Sequence, residues 1–150
     1  FVHTELNSVL DYSSYETQLF DNGVLQIGFA KEGEAKFDLP KSHVDYGRSI
    51  AAYYWWLFPN LMLNFYPWGL SINLVNPNGC GKTIVQYHGL VVDQTKVGLG
   101  AGGDVDLVEL QDQEIVEACF RGMKSSLYDR GRYSPKMEMG VHHFHRILTG

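Results

Sequence analysis

Apolar and polar side chains alternate along much of the first two-thirds of the chain. In VLQIGFA, Leu25, Ile27 and Phe29 fall on one side of an extended segment and Gln26 and Gly28 on the other. That period of two marks a strand. The preceding SYETQLF reads as its partner, with DNG as the hairpin turn, because Asn-Gly readily takes the positive φ values such turns require. The stretch up to about Ser14 shows little periodicity. KEGEAKFDLPKSHVDYG is polar and punctuated, an expected exposed loop. From Tyr53 onward, YYWWLFPNLMLNFYPWGLSINLVNPNGCGKTIVQYHGLVV is dense in aromatic and β-branched residues. It is broken by Pro59, Pro67 and the turn NPNGCGK, and predicts three or four antiparallel strands whose long side chains line a concave face.

The period then lengthens. Val108, Ile115, Val116, Cys119, Met123 and Leu127 recur at helical spacing, predicting a helix from about Leu107 to Tyr128 with an apolar stripe, and Arg121 and Lys124 opposite. Asp106 and Glu109 fit a capping box at its start. GLGAGGD, which leads into it, matches GxGxxG at Gly98, Gly100 and Gly103 but lacks the parallel βαβ setting of a dinucleotide site. It reads as a flexible hinge. VHHFHRIL at the end fits a short helix or strand. Many strands followed by one long helix predict an α+β domain, a curved sheet wrapped around a helix.

Composition narrows the function classes. The chain has 150 residues, enough for one domain with a single core, and is 45% hydrophobic against 19% charged. A net charge of −5 with scattered basic residues gives no footprint for nucleic acid. No apolar run reaches membrane-spanning length. Cys80 and Cys119 are far apart and form no CxxC pair, which points to a reducing, cytoplasmic setting. Cys119 reads as core, and Cys80 as a turn residue.

The candidate chemistry lies with acids and histidines. Asp112 falls within the apolar stripe, and a carboxylate facing a core is costly unless paired, hydrogen-bonded or metal-bound. The alternative is that the helix start rotates or frays and leaves it solvated. His3, at the ragged start, reads by position alone as a terminal residue. His142, His143 and His145 suggest a metal site, but no third ligand or supporting shell adjoins them. Packing and local hydrogen bonding account for them more simply.

Three stretches together resemble a known family: FVHTELNSVLDYS, YYWWLFPNLMLNFYPWGLSINLVNP and QDQEIVEACFRGMKSSLYDRGRYSPKMEMGVHHFHRIL. They are similar to the catalytic domain of the large subunit of Rieske-type ring-hydroxylating oxygenases, in the branch with choline- and carnitine-type monooxygenases and phenylpropionate-type dioxygenases. The resemblance implies a helix-grip (START-like) fold, an antiparallel sheet gripping a long C-terminal helix. It implies a mononuclear non-haem iron held by two histidines and a carboxylate, a set that leaves positions open for dioxygen. Carried across, FVH supplies His3, and the other histidine is expected upstream of Phe1. QDQEIVEACFRG puts Asp112 at the iron-binding acid. The family often has a glutamate where this chain has Gln111, and a glutamine where it has Phe120.

On this resemblance the chain is a partial catalytic domain, without the Rieske domain and its [2Fe–2S] cluster. Its parent is expected to insert oxygen from O2 into an aromatic or N-alkyl/quaternary-ammonium organic substrate, with NAD(P)H-derived electrons arriving through a reductase or ferredoxin. A homotrimer is expected of the full-length protein, and the fragment alone is expected to be inactive. Phe58, Asn60, Met62 and Asn64 are expected pocket walls, alternating along one side if Pro59 does not break the strand. The rival from another class is a non-enzymatic helix-grip protein carrying an apolar ligand. An acid reaching His3 separates the two.

Overall fold

The computed structural model describes residues 3–150. Six strands form one antiparallel meander in sequence order: β1 (Glu16–Phe20), β2 (Gly23–Phe29), β3 (Ile50–Leu57), β4 (Leu61–Tyr66), β5 (Gly69–Pro77) and β6 (Thr83–Val91). Three helices join them: α1 (Thr4–Val9), α2 (Val105–Gly122) and α3 (Met139–Thr149). The α+β class is as expected, as are the β1–β2 hairpin and four strands in the aromatic segment. The hairpin turn differs in detail. Phe20 pairs with Gly23, so Asp21 and Asn22 form the loop, and no residue other than glycine has positive φ among those described.

Register sorts the side chains onto two faces. Trp56 pairs with Met62, Met62 with Asn73, and Asn73 with Tyr87, so these four share one face. The helices use it. Phe144 of α3 meets Trp56 edge-on at 5.1 Å between ring centroids, and Glu109 of α2 accepts a hydrogen bond from Asn73. On the opposite face Leu25, Ile27 and Ile50 are buried under Phe37 and Leu39, which come from the loop expected to be exposed. Asp45 in that loop is buried and takes hydrogen bonds from Tyr53 and Arg48. The segment is irregular but anchored.

Several expectations about the helices are corrected. The short helix α1 occupies a stretch that lacks apolar periodicity. The long helix begins two residues before the predicted start and ends well before Tyr128. Its N-cap is Asp104, whose carboxylate accepts from the Leu107 N–H at 3.2 Å, so Asp106 and Glu109 form no capping box. Ile115, Val116, Cys119, Met123 and Leu127 are exposed, so the stripe that predicted a gripped helix is uncovered here. The sheet lies beside α2 rather than closing around that stripe.

The glycine bridge is an anchor and not a hinge. Ala101 and Gly102 are buried, and the Trp68 indole N–H donates to the Gly102 carbonyl at 3.0 Å. A Cβ on Gly102 would lie 2.3 Å from Trp68 Nε1 and 2.7 Å from Tyr66 Cγ, so only glycine lets the backbone come this close. This contact ties the start of α2 to the tight β4–β5 turn.

Candidate metal centre and adjoining cleft

His3 is the residue before α1, and Asp112 lies near the middle of α2. Although 109 positions apart, they meet: His3 Nε2 lies 2.9 Å from Asp112 Oδ1. The other ring nitrogen, Nδ1, lies 2.8 Å from Gln111 Oε1. The Gln111 amide nitrogen in turn donates to Glu5 Oε2 at 3.5 Å. The His3 side chain is 22% exposed and that of Asp112 52%. The argument that Asp112 is buried therefore fails, while its pairing with His3 holds.

The pair has the chemistry of a metal edge. Imidazole nitrogen and carboxylate oxygen are donors that suit divalent iron, and in the facial triad they accompany a second histidine. Two such atoms bound about 2.1 Å from one ion and at right angles lie about 3.0 Å apart. The observed separation of 2.9 Å is that of a direct hydrogen bond and is also compatible with such an edge. No group of three or more metal-binding side chains forms among the described residues. The residues present thus fit two positions of such a site.

Along the same helix opens a cleft of about 490 Å³, with Trp68, Tyr87, His88, Asp106, Glu109 and Gln113 in its lining; His3 and Asp112 are not among the lining residues. Glu109 precedes Asp112 by three residues and so projects from nearly the same side of α2. Ser71 and Asn73, both buried, form a short polar chain: Ser71 Oγ donates to Asn73 Oδ1 at 3.3 Å, and Asn73 Nδ2 to Glu109 Oε1 at 2.7 Å. Burial pushes the Glu109 carboxyl above its ordinary range. The hydrogen bond from Asn73 opposes that, and the charge of Asp112 adds to it. No Lys or Arg is among the residues lining the cleft.

Sequence reasoning did not select Glu109, Asn73, Trp68 or Tyr87. The β5 asparagine and the helix glutamate are 36 positions apart, and only the strand register brings them together. Of the expected pocket residues, Phe58 and Asn60 lie in the β3–β4 turn, because strand pairing resumes only at Leu61 and Pro59 does break the run. Asn60 donates to Asn76 at 3.0 Å. Met62 and Asn64 share the sheet face of Asn73 but do not line the cleft.

The C-terminal histidines are held locally on α3. His143 Nε2 bonds the Phe20 carbonyl at 2.7 Å, His145 bonds the Tyr133 hydroxyl, and His142 packs against the Tyr133 ring. They tie α3 and the preceding loop to the β1 end of the sheet. Among the described residues no helix is long and apolar enough to cross a membrane.

Comparison with known proteins adds three findings. The family model described as "Ring hydroxylating alpha subunit (catalytic domain)" matches residues 30–149. A chloroplastic choline monooxygenase of Arabidopsis thaliana is 33% identical over 156 residues, covering 99% of this chain and 34% of that protein. Its counterpart in Spinacia oleracea is 27% identical, covering 97% of this chain and 32% of that protein. Among solved structures, a quaternary ammonium Rieske monooxygenase associated with carnitine oxidation by gut microbiota superposes with a TM-score of 0.69. At 21% identity, over 98% of this chain and 41% of that one, this likeness speaks to the fold. The chain spans about a third of the length of the curated relatives it matches.

Proposed function

The chain belongs to the catalytic-domain family of ring-hydroxylating alpha subunits, and from that premise we propose that His3 and Asp112 hold the mononuclear iron of a Rieske-type oxygenase. The observation that carries the reading is the 2.9 Å approach of His3 Nε2 to Asp112 Oδ1. One further histidine, upstream of Phe1, completes the ligand set. Iron(II) bound there supplies the activation of dioxygen. The [2Fe–2S] cluster belongs to a Rieske domain of the longer parent, which draws NAD(P)H-derived electrons through a reductase or ferredoxin and works as a homotrimer. The helix-grip arrangement belongs to that complete catalytic domain.

Within this reading the chain's own residues bind and orient the substrate. The cleft favours a cationic N-alkyl or quaternary ammonium group over a neutral aromatic ring. Glu109 presents a half-buried carboxyl, Asp106 adds a second acid, and the exposed aromatic ring of Tyr87 lines the same cleft. Asn73 holds Glu109 in place, and Glu109 lies one turn before Asp112 on the same helix, which would set the charged group near the metal edge. The relatives named for choline and quaternary ammonium substrates are consistent with that preference.

The test is Asp112→Ala in the full-length parent. It should remove mononuclear iron and turnover while sparing the cluster, as read by metal analysis and the cluster's visible spectrum. Turnover retained by that variant would refute the assignment. The same preparation carrying Glu109→Gln should raise KM for a quaternary ammonium substrate more than for a neutral analogue of the same shape.

A further inference from the structure

His3 has a second partner on α2 besides Asp112. Gln111 is partly buried between two partners, Glu5 on one side and His3 on the other. An ionised carboxylate only accepts hydrogen bonds, so the Gln111 side-chain nitrogen must face Glu5. That orientation leaves the amide oxygen facing His3 Nδ1, 2.8 Å away. An amide oxygen only accepts, so Nδ1 is the donor to Gln111; Asp112 also only accepts, so an ion shared with Asp112 takes the place of the hydrogen on Nε2 and leaves the one on Nδ1.

We propose that Gln111 is a positioning residue: it fixes the ring and tautomer of His3 so that Nε2 is the nitrogen presented to Asp112 and to an ion shared with it. The proposal rests on the iron reading above and adds to it a residue that touches neither metal nor substrate. Metal-binding histidines depend on such partners at their second nitrogen, whose loss weakens metal binding by about 10- to 100-fold. A neutral amide differs from a carboxylate at this position. It orients the ring without placing another negative charge beside Asp112, and so donates less electron density through the imidazole to the metal.

The experiment uses the full-length parent protein with its cluster, loaded with ferrous iron. Iron affinity is read by metal analysis after dialysis against a metal buffer. The site's electronic structure is read by electron paramagnetic resonance of its complex with nitric oxide as probe. Q111L should lower iron affinity by about 10- to 100-fold with cluster content unchanged. Q111E, which still accepts from Nδ1, should keep the iron and change the nitrosyl spectrum. Wild-type affinity in Q111L, a collapse of binding in Q111E matching that in Q111L, or a wild-type spectrum in Q111E each overturns the proposal. Because Q111E preserves the shape and the acceptor facing Nδ1, losing only the hydrogen bond to Glu5, it decides the matter even if Q111L does not fold. Asp112→Ala separates the two levels. If that variant keeps its iron, the metal site itself is misassigned; if it loses iron while Q111L does not, only the role of Gln111 falls.

Discussion

Asp45 and Glu109 are the two acids that the sheet holds most closely, and they are held for opposite ends. Asp45, on the loop face, is buried, takes a hydrogen bond from the Tyr53 hydroxyl at 2.8 Å and pairs with Arg48, which also reaches Glu16. Burial pushes its carboxyl up, but the Tyr53 hydrogen bond and the Arg48 guanidinium outweigh that and leave it below its ordinary range. Glu109, on the helix face, is also hydrogen-bonded by sheet residues, Asn73 and Tyr87. Its charged neighbours are acids, so its shift runs the other way. A carboxylate kept for structure is given its cation within the fold. One left without a cation, beside an open cleft, has that place free for something that enters.

The contrast extends to the surroundings. Ile27 and Ile50 beneath the Asp45 loop are essentially inaccessible, at 1% and 0% exposure, whereas Val116 on α2 is 64% exposed. The largest expected effect is therefore in the loop-face core. Ile27→Ala should cost about 2–5 kcal/mol of stability by urea unfolding, since the cavity cannot collapse between a sheet and an anchored loop. A loss as small as that of a surface change would show that the loop does not seal this face.

Asp45→Asn comes next. It leaves Arg48 and Tyr53 with a weaker acceptor and should cost about 2 kcal/mol at neutral pH. Because the folded carboxyl titrates below its unfolded value, near 3.9, the stability it adds is present above that value and is lost as pH falls through the folded one. Wild type and variant should therefore converge in acid. A difference that persisted there would mean that shape, and not charge, holds the loop.

Glu109→Gln should act with the opposite sign and a smaller size. A raised folded value means that ionisation opposes folding. The cost is absent below the unfolded value, near 4.3, grows as pH rises towards the folded value and is complete above it. The neutral variant should thus show a slightly higher unfolding midpoint at neutral pH and no advantage in acid. A residue that weakens the fold while serving the cleft is the usual signature of a functional position. If the variant were less stable at neutral pH, Glu109 would belong with Asp45 as a structural acid. Smallest of all, Val116→Ser should change stability by less than about 0.5 kcal/mol in this chain, because its side chain meets mostly solvent.

Much of the fold was legible in local pattern. Strand alternation, the NPNGCGK turn and a long helix follow from spacing that short-range sterics enforce. What the pattern did not carry was partnership. The α2 stripe has the spacing of a buried face, yet burial depends on which element lies opposite, and none of the described elements covers it. The glycine bridge reads as loose by composition, but its lack of side chains is what admits Trp68 and Tyr66. At the site, Asp112 and His3 were named through resemblance, and the structure brings them to 2.9 Å of one another. Glu109 was read as a capping residue, because its true partner, Asn73, is a neighbour only after the sheet has formed. Gln111 was noticed as a departure from the family, and its contact with His3 required the geometry.

The Trp68–Gly102 clasp has a bearing on tolerance. It pins the near end of α2, while Asp112 stands about 10 Å further along the axis from the first helical residue. The helix is then a lever, and a tilt of only about 6° at its fulcrum would swing the carboxylate by about 1 Å. That is more than the roughly 0.5 Å a working constellation withstands. An indole hydrogen bond to one carbonyl thereby limits how far the carboxylate at mid-helix can swing.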